Sequence, residues 1–335
     1  MKGVDSRSGK WQESIMSASH SPRLSNRRNF LAGSGLTLGT LAATKVPSFA
    51  AEVAMTPAKS FRFSLNMSTI RGQELDAAAE VDIAGKAGYD AIEPWLRKLN
   101  EYVAAGGSVD DLRKRIEDNG LTVESAIGFA KWIGNDPAER AAGLEEARRD
   151  MDLIARLGGK RIAAPPVGVP NGEIVTLDDA GERYRTLLEI GDEIGVVPQV
   201  EMWGGNPTIG TVEKAIYVAI RSGHPKACFL GDVFHTYKGG SPFDSMRLLG
   251  PQALQNYHMN DYPADPPQAK IKDADRVFPG DGIAPLTQIL RNFKDVGAYP
   301  VLSLELFNPT YWAMPALECA RIGLEKMVAS VAAAS

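Results

Sequence analysis

From Phe61 onward the chain alternates short, almost wholly apolar runs with longer amphipathic stretches. Short apolar runs bounded by turn residues predict buried strands, and apolar positions recurring every three or four residues predict helices packed by one face. On this pattern strands are expected at 61–66, 89–93, 121–125, 161–164, 196–201, 227–232, 256–259 and 300–305. Helices are expected at 74–87, 109–119, 136–157, 177–194, 211–221, 244–249, 283–296 and 315–328. Asp136-Pro137 opens one helix with proline in its first turn, and Thr211 caps another. Eight strand–helix repeats with strongly apolar strands predict an α/β fold, a (β/α)8 TIM barrel over 61–330, rather than an open doubly wound sheet. No Gly-x-Gly-x-x-Gly follows the first strand, so a dinucleotide site has no support.

The first fifty residues do not share this alternation. Asn26-Arg27-Arg28-Asn29-Phe30-Leu31 is a twin-arginine pattern that runs into a mildly apolar segment, Leu31 to Ala43, broken by Gly33, Gly35 and Gly39. Ser48-Phe49-Ala50 offers small residues where a signal peptidase reads. Residues 1–50 are therefore expected to be a signal segment, recognised by the twin-arginine export machinery, that sends a folded chain to the periplasm or otherwise outside the cytoplasm. The apolar segment is too short and glycine-rich for a stable membrane span, and no later stretch is long enough.

Removing that segment changes the charge balance. It carries seven of the 37 Lys and Arg and two of the 41 Asp and Glu, leaving 30 basic and 39 acidic residues. An acidic domain without a basic stripe is a poor partner for nucleic acid. Cys228 falls in an apolar strand and Cys319 in the final helix, and no Cys-x-x-Cys is present. Two buried free thiols are expected, not a thiolate metal site.

Chemistry concentrates in the last third. Glu201 ends one apolar run and Asp232 the next, with His235 three residues on; His258 lies in the seventh strand, and Glu305 ends the eighth. Carboxylates and imidazoles at the C-terminal ends of successive barrel strands are the pattern of a barrel-top metal site. Oxygen donors with one nitrogen suit one divalent ion, Mn²⁺, Mg²⁺, Co²⁺ or Zn²⁺. His224 precedes its strand and belongs to the other end of the barrel, a loop residue. Trp95, Trp203, Phe307 and Trp312 follow strand ends and can serve either as walls for a sugar ring or as packing.

The segments Glu201-Met202-Trp203-Gly204, Asp232-Val233-Phe234-His235, His258-Met259-Asn260-Asp261 and Glu305-Leu306-Phe307-Asn308 resemble the xylose isomerase-like TIM barrels of the sugar phosphate isomerase/epimerase group, over about Phe61 to Val328. Carried over from the ketose epimerases of that group, the resemblance implies a metal held by Glu201, Asp232, His258 and Glu305. It implies that His235 contacts a substrate oxygen. Many of those epimerases have an arginine six residues after the metal histidine, where this chain has Ala264, and Arg276 on a longer loop is the candidate replacement. Glu93-Pro94-Trp95 is expected on the rim, with Glu93 and Trp203 as further substrate contacts.

The expected reaction is isomerisation or epimerisation of a non-phosphorylated sugar, with Glu201 and Glu305 removing and returning a proton next to a carbonyl through an enediolate. Export and the lack of a Lys/Arg cluster after strands seven or eight argue for an unphosphorylated carbohydrate. A keto-sugar or keto-cyclitol lyase or dehydratase is the alternative on the same site. The related apurinic endonucleases use several metals and many histidines, whereas the mature chain would keep three histidines and an acidic balance. A non-catalytic sugar-binding protein would not need both glutamates.

Overall fold

The computed structural model describes residues 60–170 and 172–335, so the twin-arginine segment lies outside the described residues. Eight parallel strands form one sheet: β1 (Phe63–Asn66), β2 (Ala91–Glu93), β3 (Thr122–Val123), β4 (Arg161–Ala164), β5 (Val197–Glu201), β6 (Phe229–Asp232), β7 (Leu254–Met259) and β8 (Val301–Leu304). Their order, β3-β2-β1-β8-β7-β6-β5-β4, puts the first strand beside the last, as a closed ring requires. β1 pairs with β8 in register Ser64 to Ser303. The seam between β3 and β4 carries no ladder. Ala163 N–H donates to the Ala126 carbonyl there at 2.8 Å, just beyond the end of β3. The fold is the expected (β/α)8 TIM barrel.

Ten helices surround or cap this sheet among the described residues: α1 (Ala77–Ala87), α2 (Leu96–Ala104), α3 (Val109–Asp118), α4 (Pro137–Arg156), α5 (Leu177–Ile194), α6 (Val212–Arg221), α7 (Val233–Gly239), α8 (Leu286–Asp295), α9 (Pro309–Trp312) and α10 (Ala316–Ala333). Their boundaries follow local chemistry. Asp136 accepts from the N–H groups of Ala138 and Glu139, with Pro137 in the first turn of α4. Thr176 and Thr211 cap α5 and α6 in the same way, and Gly88 and Gly195 end α1 and α5 at φ near +90°, where a Cβ would be strained. The expected helix over 244–249 is instead a 3-10 turn, Phe243–Leu248. Helices α2, α7 and α9 were not expected. In α2 only Leu96 and Leu99 are buried, too short an apolar pattern to register, and α7 follows β6 without a linker because Asp232 is its cap.

Both faces of the strands are covered, which is why their residues are nearly all buried. The barrel interior is not uniformly apolar: Ser64, Gln199, Asn256 and Ser303 are buried on β1, β5, β7 and β8. Cys228 and Cys319 are free and buried, and burial pushes both thiols up to about 12. Among the described residues no helix is long and apolar enough to cross a membrane.

Candidate active site at the C-terminal ends of the strands

Glu93, Glu201 and Asp232 are the last residues of β2, β5 and β6, and Glu305 directly follows β8. Parallel strands in register bring these ends to one face of the barrel. Among the described residues, one donor atom each from Asp232, His258 and Glu305 lies within 4.8 Å of the others. All three side chains are buried. His258 Nδ1 is 3.1 Å from Glu305 Oε2 and 3.6 Å from Asp232 Oδ2, yet it has no aligned hydrogen-bond partner. Burial alone would lower the His258 pKa, but Glu305, Glu93 and Asp232 outweigh it and hold it well above its ordinary value.

The ring's other nitrogen is tied down. His258 Nε2 bonds Glu93 Oε2 at 3.0 Å, and the same oxygen accepts from Asn66 Nδ2 at 2.9 Å and Ser303 Oγ at 2.6 Å. With Nε2 held by the Glu93 carboxylate, Nδ1 is the ring atom that faces the two acidic oxygens. This carboxylate–histidine arrangement is the usual support behind a metal-binding imidazole. Two carboxylates and an orphaned ring nitrogen converging in a buried space fit a divalent ion.

Arg276 reaches this cluster from a distant loop. Its Nη1 donates to Asp232 Oδ2 and Glu305 Oε2, both at 2.8 Å, and its Nη2 donates to Asp273 Oδ1 at 2.7 Å. The guanidinium also lies over Phe234 at 4.5 Å and Phe307 at 5.0 Å. Burial opposes its charge, but Asp232, Glu305 and Asp273 raise its pKa. The loop is held by Asp261, whose backbone pairs with Val277 and whose carboxylate accepts from the N–H groups of Gly280, Gly282 and Ala284. Arg276 Nη1 therefore ties together carboxylates of Asp232 and Glu305, two of the residues that would hold a divalent ion.

Glu201 is buried and lines the same cavity, but it is not a member of the three-residue cluster. Burial pushes its carboxyl up to about 8, with His258 opposing the rise and Glu305 and Asp232 adding to it. His235, in α7, faces two N–H donors: Gly204 N–H at 3.2 Å from Nδ1 and Arg276 Nη2 at 3.1 Å from Nε2. Burial, and Arg276 against the opposing pull of Asp232, bring this imidazole down to about 4. The cavity holds about 690 Å³, and its lining includes Glu201, Glu305, His235, Arg276 and the four tryptophan and phenylalanine residues expected there: Trp95, Trp203, Phe307 and Trp312. Trp95 and Phe307 meet edge-on at 6.0 Å between ring centres.

A family profile described as xylose isomerase-like TIM barrel matches residues 81–327. The chain belongs to that family. An inosose isomerase of Bacillus licheniformis is 28% identical over 259 residues, covering 75% of this chain and 91% of that protein. A 3-dehydroshikimate dehydratase of Pseudomonas aeruginosa is 26% identical over 261 residues, covering 74% of this chain but 39% of that protein. The crystal structure of the IOLI protein with a binding zinc atom superposes with a TM-score of 0.76 at 25% identity, covering 81% of this chain and 98% of that one. These relatives of the xylose isomerase-like barrel are enzymes of isomerisation and of dehydration.

One expectation is corrected within this barrel. Glu93 is not on the rim and does not line the cavity; it is buried behind His258. The reason is the pleat: Glu93 pairs in register with Asn66 of β1, whose amide also points to the interior. Asn66 itself gave no signal in the sequence. It donates to Glu93 and to Glu305 Oε1 (3.1 Å), and its oxygen accepts from Trp95 Nε1 at 2.9 Å, so it links the buried carboxylates to the aromatic wall. Phe129 and Arg71 also line the cavity without having been anticipated. His224 bonds Asp192 at 3.1 Å, away from the cavity lining.

Proposed function

We propose that this chain is a divalent-metal-dependent isomerase or epimerase of a non-phosphorylated sugar, acting at a carbon next to a carbonyl. The observation that carries this reading is the meeting of Asp232, His258 and Glu305 in one buried cluster beside a cavity that Glu201 also lines. Asp232, His258 and Glu305, with Glu201 alongside, would hold the ion, which when bound supplies Lewis-acid stabilisation of negative charge on the carbonyl oxygen. Glu201 and Glu305 approach the cavity from β5 and from the end of β8, three strands apart in the ring. One removes the proton and leaves the enediolate; the other returns a proton to complete the isomer. His235 and Arg276 orient the substrate oxygens, and the aromatic walls exclude water from the reacting carbons.

Elimination from a keto-sugar or keto-cyclitol is the second reading, favoured by the similarity to the dehydroshikimate dehydratase. It uses the same first proton removal and differs in expelling a β-substituent. Export by the twin-arginine route is part of the proposal and is supported by the Asn26 to Leu31 pattern.

The test is incubation of metal-loaded protein with a panel of keto-sugars in deuterated water. Solvent deuterium at the carbon next to the carbonyl, with substrate mass otherwise conserved, is expected; loss of water or of an aglycone selects the elimination reading. Glu201→Gln and Glu305→Gln should each lower turnover by about 10²–10⁴, and one of the two should still exchange deuterium from a single face. Absence of exchange across the panel, or near-normal turnover in both variants, refutes the mechanism.

A further inference from the structure

Arg71 lies in the 3-10 turn that follows β1, half-buried, and lines the cavity. Three aromatic faces hold its guanidinium: Trp312 at 4.8 Å, and Trp95 and Phe307 each at 5.3 Å. Two of the rings are themselves anchored, Trp95 Nε1 donating to Asn66 Oδ1 and Trp312 Nε1 to the Ser68 carbonyl, both at 2.9 Å. The neighbouring Gly72 makes the close approach of Trp312 possible, because a Cβ there would fall 2.2 Å from Trp312 Cβ. The sequence thus places a residue without a side chain beside the arginine, and three rings fix the cation in place.

What this cation lacks is an anion. Among the described residues no carboxylate lies within 4.0 Å of Arg71, and Glu305 acts on it only at longer range. Burial lowers its pKa, with Arg97 adding to the effect. Arg276, by contrast, is paired with Asp232, Glu305 and Asp273. Lys238, also half-buried and lining the cavity, lies over Phe234 at 5.5 Å, again with no carboxylate within ion-pair distance. A guanidinium stacked on rings keeps its N–H donors in its own plane, free to form two parallel bonds to a planar oxyanion. Desolvating a charge in this way without a counterion is unfavourable until a ligand provides one.

We infer that the substrate is a carboxylate-bearing keto-sugar or keto-cyclitol, its carboxylate bound by Arg71 at a distance from the reacting carbonyl. The inference rests on the reading of this cavity as the reaction site and narrows its substrate class. A phosphate fits less well. Phosphates favour clusters of free backbone N–H groups at helix starts and glycine-rich loops. Here the N–H groups of Gly204, Phe234 and His235 are already bonded to His235, Asn260 and Asp232.

Three sugars that differ only at carbon six test this: D-fructuronate, D-fructose and D-fructose 6-phosphate, titrated calorimetrically into the metal-loaded full-length chain. D-Fructuronate should bind about tenfold to a hundredfold more tightly than D-fructose, as expected for a charge-assisted pair. Arg71→Met should bring the two within about threefold, and Arg71→Lys should keep only part of the preference, because it retains charge without the fork. Metal content and melting temperature of each variant report whether it folds, and the wild-type comparison stands without either variant. The inference is overturned if D-fructuronate binds no more tightly than D-fructose, if the preference survives in Arg71→Met, or if D-fructose 6-phosphate binds most tightly. Deuterium exchange read in parallel separates the two levels. Exchange without a carboxylate preference refutes the substrate class alone, whereas a preference without exchange refutes the catalytic reading alone.

Discussion

Replacing Glu93 by glutamine isolates the support behind the proposed metal site. The side chain keeps its size, and its amide oxygen can take the position of Oε2, which now accepts from His258 Nε2, Asn66 Nδ2 and Ser303 Oγ at 3.0, 2.9 and 2.6 Å. What changes is charge. A hydrogen bond to an ionised acceptor contributes about 1.5–3 kcal/mol and a neutral one about 0.5–1.5 kcal/mol. The imidazole loses roughly 1–1.5 kcal/mol of orientation and basicity, about tenfold in metal affinity, at the lower end of the 10–100-fold typical when such a supporting group is altered. Glu93→Ala also leaves Nε2–H without a partner in a buried site and should approach about a hundredfold. Ser303→Ala leaves the charge and removes only one bond, so it should cost severalfold, separating orientation from charge. The assay is calorimetric titration of metal-free protein with Mn²⁺ or Zn²⁺ at fixed pH, with melting temperature in chelator as the control for folding. A Glu93→Gln protein that folds and binds metal with the wild-type affinity would show that Glu93 does not position His258, and the reasoning fails.

Glu80, buried in α1, has its carboxyl pushed up to about 8 by burial, with Lys98 opposing. The folded chain then holds a proton that the unfolded chain releases near pH 4, so stability falls as pH rises through 8, by on the order of a few kcal/mol. Glu80→Gln should therefore gain over the wild type in urea melts at pH 9 and not at pH 5, and parallel pH curves would exclude this. Gly231→Ala would put a Cβ 2.6 Å from the buried Tyr257 ring, one residue before Asp232, and should lower stability by about 1–3 kcal/mol in thermal melts. Changing Arg27 and Arg28 to lysine should leave the precursor in the cytoplasm with residues 1–50 attached, as read by cell fractionation. Undiminished processed protein outside the inner membrane would point to the general secretory route.

The sequence by itself determined the repeat and the end of the barrel that carries chemistry. Periodicity is local, so β4 and α5 have the boundaries that the apolar pattern predicts, and the capping residues Asp136 and Thr211 sit where it places them. Asp232, His258 and Glu305 were legible because each sits at or near the C-terminal end of a strand, and barrel closure brings such ends together. What tertiary structure alone decided is which partners meet across long separations. Glu93 and His258 are 165 residues apart, and Asn66 and Glu305 are 239 apart. Their contacts depend on strand register and pleat, which no local pattern encodes, so Glu93 read as a rim residue and Asn66 did not register. Arg276 could be named from its loop, but its insertion between Asp232 and Glu305 depends on the loop path that Asp261 holds. Arg71 is the extreme case: its three rings come from residues after β2 and β8, and only closure of the ring beside β1 makes them one cradle.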